Sequence, residues 1–262
     1  LVPCGTTGES VTLSEMEYGK VIRSCVETVG GVLPVVAGAG TNSTDHAIQL
    51  ARLAEKEGAD AILSVTPYYN KPTAEGIFRH FRNISDSVKI PIIMYNVPGR
   101  TGINISPKTV FRLSRIQNII GLKEASGDLT QIMELLAHRP AGFSILSGDD
   151  NFSLALTCLG GQGVISVASN LIPAEMSRLI ELVDGGDLEG ACQIHYRYLD
   201  LMNLNFIESN PIPVKYALSR MGKINEVYRL PMCPMERPNK DRMDEELEKL
   251  NLLISSTSAQ RH

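Results

Sequence analysis

A lysine at the end of an apolar run is the residue of this sequence whose setting most favours chemistry. Residues 119–122 read as a buried parallel strand, and Lys123 follows directly. An unperturbed lysine leaves only about one amine in 2,500 free at pH 7, but an apolar pocket that lowers its pKa to about 7 to 8 makes it a nucleophile. The setting therefore predicts a Schiff base between Lys123 and a ketone. The alternative is a lysine that reaches solvent or pairs with Glu124.

Two other strand ends carry groups that could assist such a lysine. Tyr95 ends one apolar run, and Thr6 and Thr7 follow another. If the strands of Tyr95 and Lys123 are neighbours, their axes lie about 4.8 Å apart, and the phenol can reach the amine. Carbinolamine formation and dehydration need a group that gives and takes protons, and a phenol linked to the Thr6 hydroxyl could supply it. A tyrosine that only caps its strand is the alternative for Tyr95.

The elements that must position these residues alternate along the chain. Strands are predicted at 1–5, 33–37, 61–65, 91–95, 119–123, 143–146 and 163–167, and helices at 14–29, 43–58, 73–87, 107–115, 129–137, 151–159 and 173–183. Strands recur every 20 to 30 residues, the period of a βα unit in a parallel barrel. Active sites of such barrels lie at the carboxyl ends of the strands, where these polar residues fall.

Counting the strands gives seven where a closed barrel needs eight. The predicted fold is an α/β fold, a (β/α)8 TIM barrel that lacks its first βα unit and has a C-terminal helical appendage. We assign residues 1–186 to the catalytic barrel and residues 187–262 to a helical region that ends near residue 254 and a frayed tail at 255–262. Asp149 and Asp150 open a helix, and capping of the helix dipole explains them better than metal binding.

Composition narrows the function classes. The 262 residues are 43% hydrophobic with a net charge of −4, so we expect a soluble globular protein that binds neither nucleic acid nor an anionic membrane. Apolar runs are too short to span a membrane, and no signal peptide is recognised. Five widely spaced cysteines fit reduced thiols in the cytoplasm. The scattered histidines offer no metal-ligand pair, so neither a metal nor another cofactor is expected.

Several stretches together resemble the dihydrodipicolinate synthase family, in its order and nearly its spacing. They are residues 5–10 (GTTGES), 65–72 (VTPYYNKP), 95–102 (YNVPGRTG), 121–127 (GLKEASG), 146–150 (LSGDD), 163–167 (GVISV) and 210–215 (NPIPVK). The resemblance implies a class I aldolase-type lyase that condenses pyruvate with L-aspartate 4-semialdehyde to 4-hydroxy-tetrahydrodipicolinate. That reaction opens diaminopimelate and lysine biosynthesis. It requires no cofactor, because the imine itself is the electron sink.

The same resemblance implies the catalytic roles. Lys123 would form the Schiff base with pyruvate, and Tyr95, Thr6 and Tyr69 would form the proton relay. In the family the tyrosine that matches Tyr69 enters the site of a neighbouring subunit. The relay therefore implies a homo-oligomer, which in the family is a dimer of dimers.

The resemblance also implies how the substrates are held. Thr7 matches a residue that binds the pyruvate carboxylate, and Gly148 and Ile165 line the same pocket. Arg100 matches the residue that meets the carboxylate of aspartate semialdehyde, a task that suits a guanidinium fork.

Lysine-inhibited relatives carry a histidine pair and a glutamate at an allosteric interface, where this sequence has Glu15, Tyr18 and His46. We therefore expect millimolar lysine to change the rate very little.

Two alternative functions stay open on the sequence. One is N-acetylneuraminate lyase or a 2-keto-3-deoxy-sugar-acid aldolase, which shares the barrel, the lysine and the tyrosine. Arg100 and the turn at 210–213 speak against it. The other is a non-catalytic assembly subunit built on an incomplete barrel.

Overall fold

A computed structural model describes residues 1–253 of the chain. These residues form two compact units that divide between Ile165 and Ser166. The predicted end of the helical region near residue 254 and the predicted tail at 255–262 lie outside the described residues. No helix in the described part of the chain is both long and apolar enough to cross a membrane.

The first unit is built on a parallel sheet of five strands in sequence order. The strands are β1 (Val36–Gly38), β2 (Ala61–Val65), β3 (Ile92–Asn96), β4 (Ile119–Glu124) and β5 (Ser144–Ser147). Every neighbouring pair is parallel. This arrangement confirms the predicted α/β class and the predicted strand order, and it brings the carboxyl ends of all five strands to one edge.

Helices connect these strands, and most begin where a side chain caps the helix. They are α1 (Glu15–Val29), α2 (Thr44–Lys56), α3 (Ala74–Ser87), α4 (Pro98–Thr101), α5 (Pro107–Leu113), α6 (Leu129–His138) and α7 (Ser153–Cys158). The predicted capping box between Ser14 and Glu17 opens α1, and Ser43 caps α2. Apolar faces of these helices and of the strands form one core that includes Ile62, Phe81 and Leu122.

Two of the seven predicted strands are not regular strands. Residues 1–5 do not form one, although Val36 N donates to Leu1 O at 2.8 Å and Gly38 N donates to Pro3 O at 2.9 Å. Proline has no N–H to give to a ladder, so this segment only accepts from β1. At 163–167 only Val164 forms an isolated parallel bridge, with Ser147. Gly163, directly before the bridge, has a φ of 131°, which is outside the β region.

The regular secondary structure in the described part of the second unit is helical. Its helices are α8 (Pro173–Asp184), α9 (Leu188–Leu204), α10 (Ile212–Arg220) and α11 (Arg237–Lys249). The helix predicted at 173–183 is therefore present as α8, and the other three helices follow it after residue 187.

Candidate active site

Tyr95 and Lys123 lie side by side at the carboxyl ends of β3 and β4. The two residues are register partners in the parallel ladder. The Lys123 Nζ lies 4.2 Å from the centroid of the Tyr95 ring, and the two residues are only 8% and 7% exposed. The sequence therefore predicted this pair correctly from strand order alone, because consecutive parallel strands place their ends next to each other.

The surroundings of Lys123 make its amine a nucleophile near neutral pH. Burial lowers the pKa of the amine from 10.5 to about 8, while the carboxyl groups of Asp150 and Asp149 raise it and the Arg100 guanidinium lowers it further. A pKa of about 8 leaves roughly a tenth of the amine unprotonated at pH 7. Free amine is the form that attacks a carbonyl carbon.

The Tyr95 phenol stays neutral at pH 7 and is linked to a second hydroxyl. Burial raises its pKa to about 12, a side-chain hydrogen bond with Thr6 lowers it, and the nearby Arg100 and Asp149 act in opposite directions. Thr6 belongs to the exposed loop after residue 5. The pair of hydroxyls therefore connects the buried phenol with the surface through groups that both donate and accept protons.

Gly148 leaves room beside the lysine side chain. It follows β5, and its N–H donates to Glu124 O at 2.7 Å. A Cβ at this position would lie 3.1 Å from Cε of Lys123 and 2.6 Å from Cβ of Ala125. Since real Cβ atoms do not approach other atoms so closely, only glycine fits next to the lysine arm.

Ile165 contributes an apolar wall near the same strand ends. Its N–H donates to Ser147 O at 2.9 Å. Its side chain packs against a small cluster that contains Leu63, Ile93 and Tyr95. Ile165 thus packs on the cluster that contains Tyr95.

Arg100 and Thr7 lie at the margin of the site formed by Tyr95 and Lys123. Arg100 belongs to α4, has an exposed side chain, and is close enough for its charge to act on Lys123, Tyr95 and Asp149. Thr7 is half-buried in the loop that also carries Thr6.

Tyr69 is not part of the buried pair in a single chain. Its side chain is 88% exposed, while its φ of 71° places the backbone in the left-handed region. Its N–H donates to Thr101 O at 3.4 Å, which ties this turn to the end of α4.

Two aspartates near the lysine were given only a capping role on the sequence. Asp150 is 1% exposed and begins a short 3₁₀ turn, Asp150–Phe152, after β5. The carboxyl groups of Asp150 and Asp149 both act on the Lys123 amine. Their position directly after a strand end is the signal that could have identified them.

The alternative that Lys123 pairs with Glu124 is wrong. Consecutive side chains of a strand point to opposite faces, and the Glu124 carboxyl group accepts hydrogen bonds from Asn96, Ser126 and Gln131 instead. In the described part of the chain no three His, Cys, Asp or Glu side chains are grouped so that they could hold a metal ion.

Comparisons with known proteins agree with one another. A model of the Dihydrodipicolinate synthetase family matches residues 1–250. The 4-hydroxy-tetrahydrodipicolinate synthase of Chlorobium chlorochromatii is 54% identical over 254 residues, which cover 97% of this chain and 86% of that relative. The crystal structure of dihydrodipicolinate synthase from Aquifex aeolicus has a TM-score of 0.95 and 43% identity, covering 97% of this chain and 87% of that one.

A further similar structure contains a small molecule. It is the chloride-inhibited dihydrodipicolinate synthase from Acinetobacter baumannii complexed with pyruvate, with a TM-score of 0.94 and 41% identity, covering 96% of this chain and 87% of that one.

Proposed function

The chain belongs to the dihydrodipicolinate synthetase family, and we propose that Lys123 is the residue that captures pyruvate in the reaction of this family. The reaction condenses pyruvate with L-aspartate 4-semialdehyde to 4-hydroxy-tetrahydrodipicolinate, the first committed step of diaminopimelate and lysine biosynthesis. The chain is thus a class I aldolase-type lyase. The names of its relatives do not favour the sugar-acid aldolases or a non-catalytic subunit.

The observation that carries the proposal is a buried amine with a pKa of about 8 against a neutral phenol. The unprotonated amine attacks the carbonyl carbon of pyruvate, a C–N bond forms, and the carbonyl oxygen takes a proton to give a carbinolamine. Loss of water then gives the imine. Tyr95 gives and takes these protons, and Thr6 passes them between the phenol and the surface.

Carbon–carbon bond formation follows from the imine. The methyl group loses a proton to give an enamine, whose terminal carbon attacks the aldehyde carbon of the second substrate while the aldehyde oxygen takes a proton. The amino group of that substrate then attacks the imine carbon. This attack closes the ring and releases the Lys123 amine unchanged.

The substrates are held by residues around this pair. Thr7, Gly148 and Ile165 form the pyruvate pocket, with Thr7 at the carboxylate and Gly148 making space beside the lysine arm. Arg100 binds the carboxylate of aspartate semialdehyde. Its exposed guanidinium can present two parallel N–H donors to a carboxylate, which a lysine cannot.

The working form is a homo-oligomer, a dimer of dimers, in which Tyr69 completes the relay of a neighbouring copy. The exposed phenol of Tyr69 supports this role, since a tyrosine that is 88% exposed has its ring available to another chain. The five cysteines are free thiols, which supports a cytoplasmic location.

The site is carried by a (β/α)8 barrel of which this sequence supplies seven of the eight βα units, within residues 1–186. A helical region begins at residue 187. The backbone bonds from β1 to Leu1 and Pro3 support this arrangement, because they continue the parallel sheet by one more segment.

Borohydride trapping tests the proposed function. Wild-type protein incubated with pyruvate and borohydride should gain the mass of one reduced pyruvate adduct, and peptide mapping should place it on Lys123. An adduct on another lysine, or none, would refute the role of Lys123. A second assay measures the turnover of pyruvate with each candidate second substrate. Faster turnover with N-acetylmannosamine than with aspartate semialdehyde would refute the substrate assignment.

A further inference from the structure

A polar network joins β3 and β4, the two strands that carry Tyr95 and Lys123. It lies on the face of the sheet opposite to the one from which the Lys123 side chain projects. Asn96 and Glu124 are register partners one position further along, and both are almost fully buried. The Asn96 Nδ2 donates to the two carboxylate oxygens of Glu124 at 3.2 and 3.0 Å. Because side chains alternate between faces, this pair lies behind the lysine amine and not beside it.

Two further side chains close the network into a ring. The Asn96 Nδ2 also donates to Asn104 Oδ1 at 2.7 Å, and the Asn104 Nδ2 donates to Gln131 Oε1 at 2.7 Å. The Gln131 Nε2 donates to Glu124 Oε2 at 3.5 Å. The ring therefore joins β3, β4, the segment before α5 and the first turn of α6.

The carboxyl group of Glu124 cannot be replaced by its isosteric amide without loss of a hydrogen bond. Every group bonded to it is a donor, including the Ser126 N–H at 2.7 Å. Burial raises its pKa, and these hydrogen bonds lower it. A glutamine here would turn an NH2 group towards other N–H donors, which leaves buried donors without acceptors.

We propose that Glu124 is a positioning residue for the Schiff-base lysine, and that it fixes the carboxyl ends of β3 and β4 side by side so that Tyr95 stays against Lys123. The inference rests on the proposed role of Lys123. Glu124 acts through geometry and not through its charge, because the charges that act on the amine come from Asp150, Asp149 and Arg100. Displacement of reacting groups by about 1 Å can cost a hundredfold in rate.

The test compares Glu124→Gln with a variant at the opposite end of the same strands. Asn118 precedes β4, its Nδ2 donates to Ser85 O at 3.1 Å and to Val88 O at 3.2 Å, and its backbone oxygen accepts from Ile92 N. Asn118→Ala thus removes a polar tie of similar kind far from the chemistry. Circular dichroism melting of both variants reports their stability.

Glu124→Gln should lower kcat for the condensation about tenfold to a hundredfold. The KM for aspartate semialdehyde should change less than about twofold, because Arg100 is not part of the ring. The pH midpoint of adduct formation should stay where it is in wild type. Asn118→Ala should lower the melting temperature about as much as Glu124→Gln does, but it should keep kcat within about twofold of wild type.

A reversed pair provides the rescue. In Glu124→Gln with Asn96→Asp the amide donates from β4 and the carboxylate accepts on β3, so most of the lost kcat should return. If Glu124→Gln does not fold, Asn104→Ala decides, because Asn104 is exposed and its loss opens the ring without touching the core. That variant should lose kcat several-fold.

The inference is refuted if Asn118→Ala loses as much kcat as Glu124→Gln, or if the reversed pair folds but recovers no kcat. Where Glu124→Gln does not fold, full activity of Asn104→Ala refutes the inference. These outcomes are separate from a failure of the proposed function. That failure would appear in wild type, as a pyruvate adduct on a lysine other than Lys123.

Discussion

Lys123 and Glu124 are neighbours in one strand and both are almost fully buried, but their side chains differ in their hydrogen-bond partners. The Glu124 carboxyl group accepts from Asn96, Ser126 and Gln131. In the described part of the chain the Lys123 amine has no hydrogen bond; it lies 4.2 Å from the centroid of the Tyr95 ring, and the charges of Asp150, Asp149 and Arg100 act on it. Burial pushes each group towards its neutral form.

The difference shows what separates a reactive buried charge from a structural one. Donors around Glu124 satisfy its oxygens, so the group holds strands together and has no free capacity for chemistry. The amine of Lys123 is left without such partners and therefore keeps a lone pair for an electrophile. Four predictions test this contrast.

Removing the amine should have the largest effect. Lys123→Ala should lower kcat by about a thousandfold or more, because Lys123 is the one buried lysine among the described residues. The coupled condensation assay measures this loss, with Lys108→Ala as the control, since Lys108 is an exposed lysine of α5. A loss of only a few-fold in Lys123→Ala would place the covalent step on another residue.

Removing the phenol should have the next largest effect. Tyr95→Phe keeps the ring over the amine but removes the proton donor, so pyruvate adduct formation should slow about a hundredfold. Rapid quenching with borohydride gives the rate. An unchanged rate would mean that water alone serves as the proton donor.

The pH dependence should follow the lowered pKa of Lys123. Because only the unprotonated amine attacks, the rate of adduct formation should rise about tenfold per pH unit below pH 8 and level off above it. Quench experiments from pH 6 to 10 in wild type measure the midpoint. A midpoint near the ordinary lysine value would contradict the effect of burial.

Substitutions at Lys123 and at Glu124 should change the free energy of unfolding in opposite directions. The folded-state pKa of Lys123 is lowered from 10.5 to about 8, so the amine costs roughly 3 kcal/mol of folding free energy below pH 8, and this cost disappears as the pH rises from 8 to 10.5. Lys123→Met should therefore stabilise at pH 7 and gain little above pH 10.5. Glu124→Gln should destabilise by about 1 to 3 kcal/mol.

Urea unfolding of both variants at pH 7, and of Lys123→Met at pH 10.5, measures these changes. Equal destabilisation by both substitutions at pH 7 would show that the amine and the carboxyl group are held alike.

The sequence predicted the parts of this site that follow from strand order. Tyr95 and Lys123 end consecutive apolar runs, and parallel pairing places such ends together. It did not predict the ring around Glu124, because Asn104 and Gln131 come from a loop and a helix whose approach depends on tertiary packing. The strand predicted at 163–167 is reduced to one bridge at Val164, and an apolar run does not reveal that the preceding Gly163 takes a φ of 131°.

The two carboxyl groups of Asp149 and Asp150 have a consequence beyond the resting enzyme. They hold the amine partly protonated, but once pyruvate is attached the same nitrogen carries a fixed positive charge as an iminium ion. The site then needs an anionic partner for that cation in a place with little water. Because both aspartates already act on this nitrogen before the substrate arrives, the counter-ion is in position from the start of each turnover.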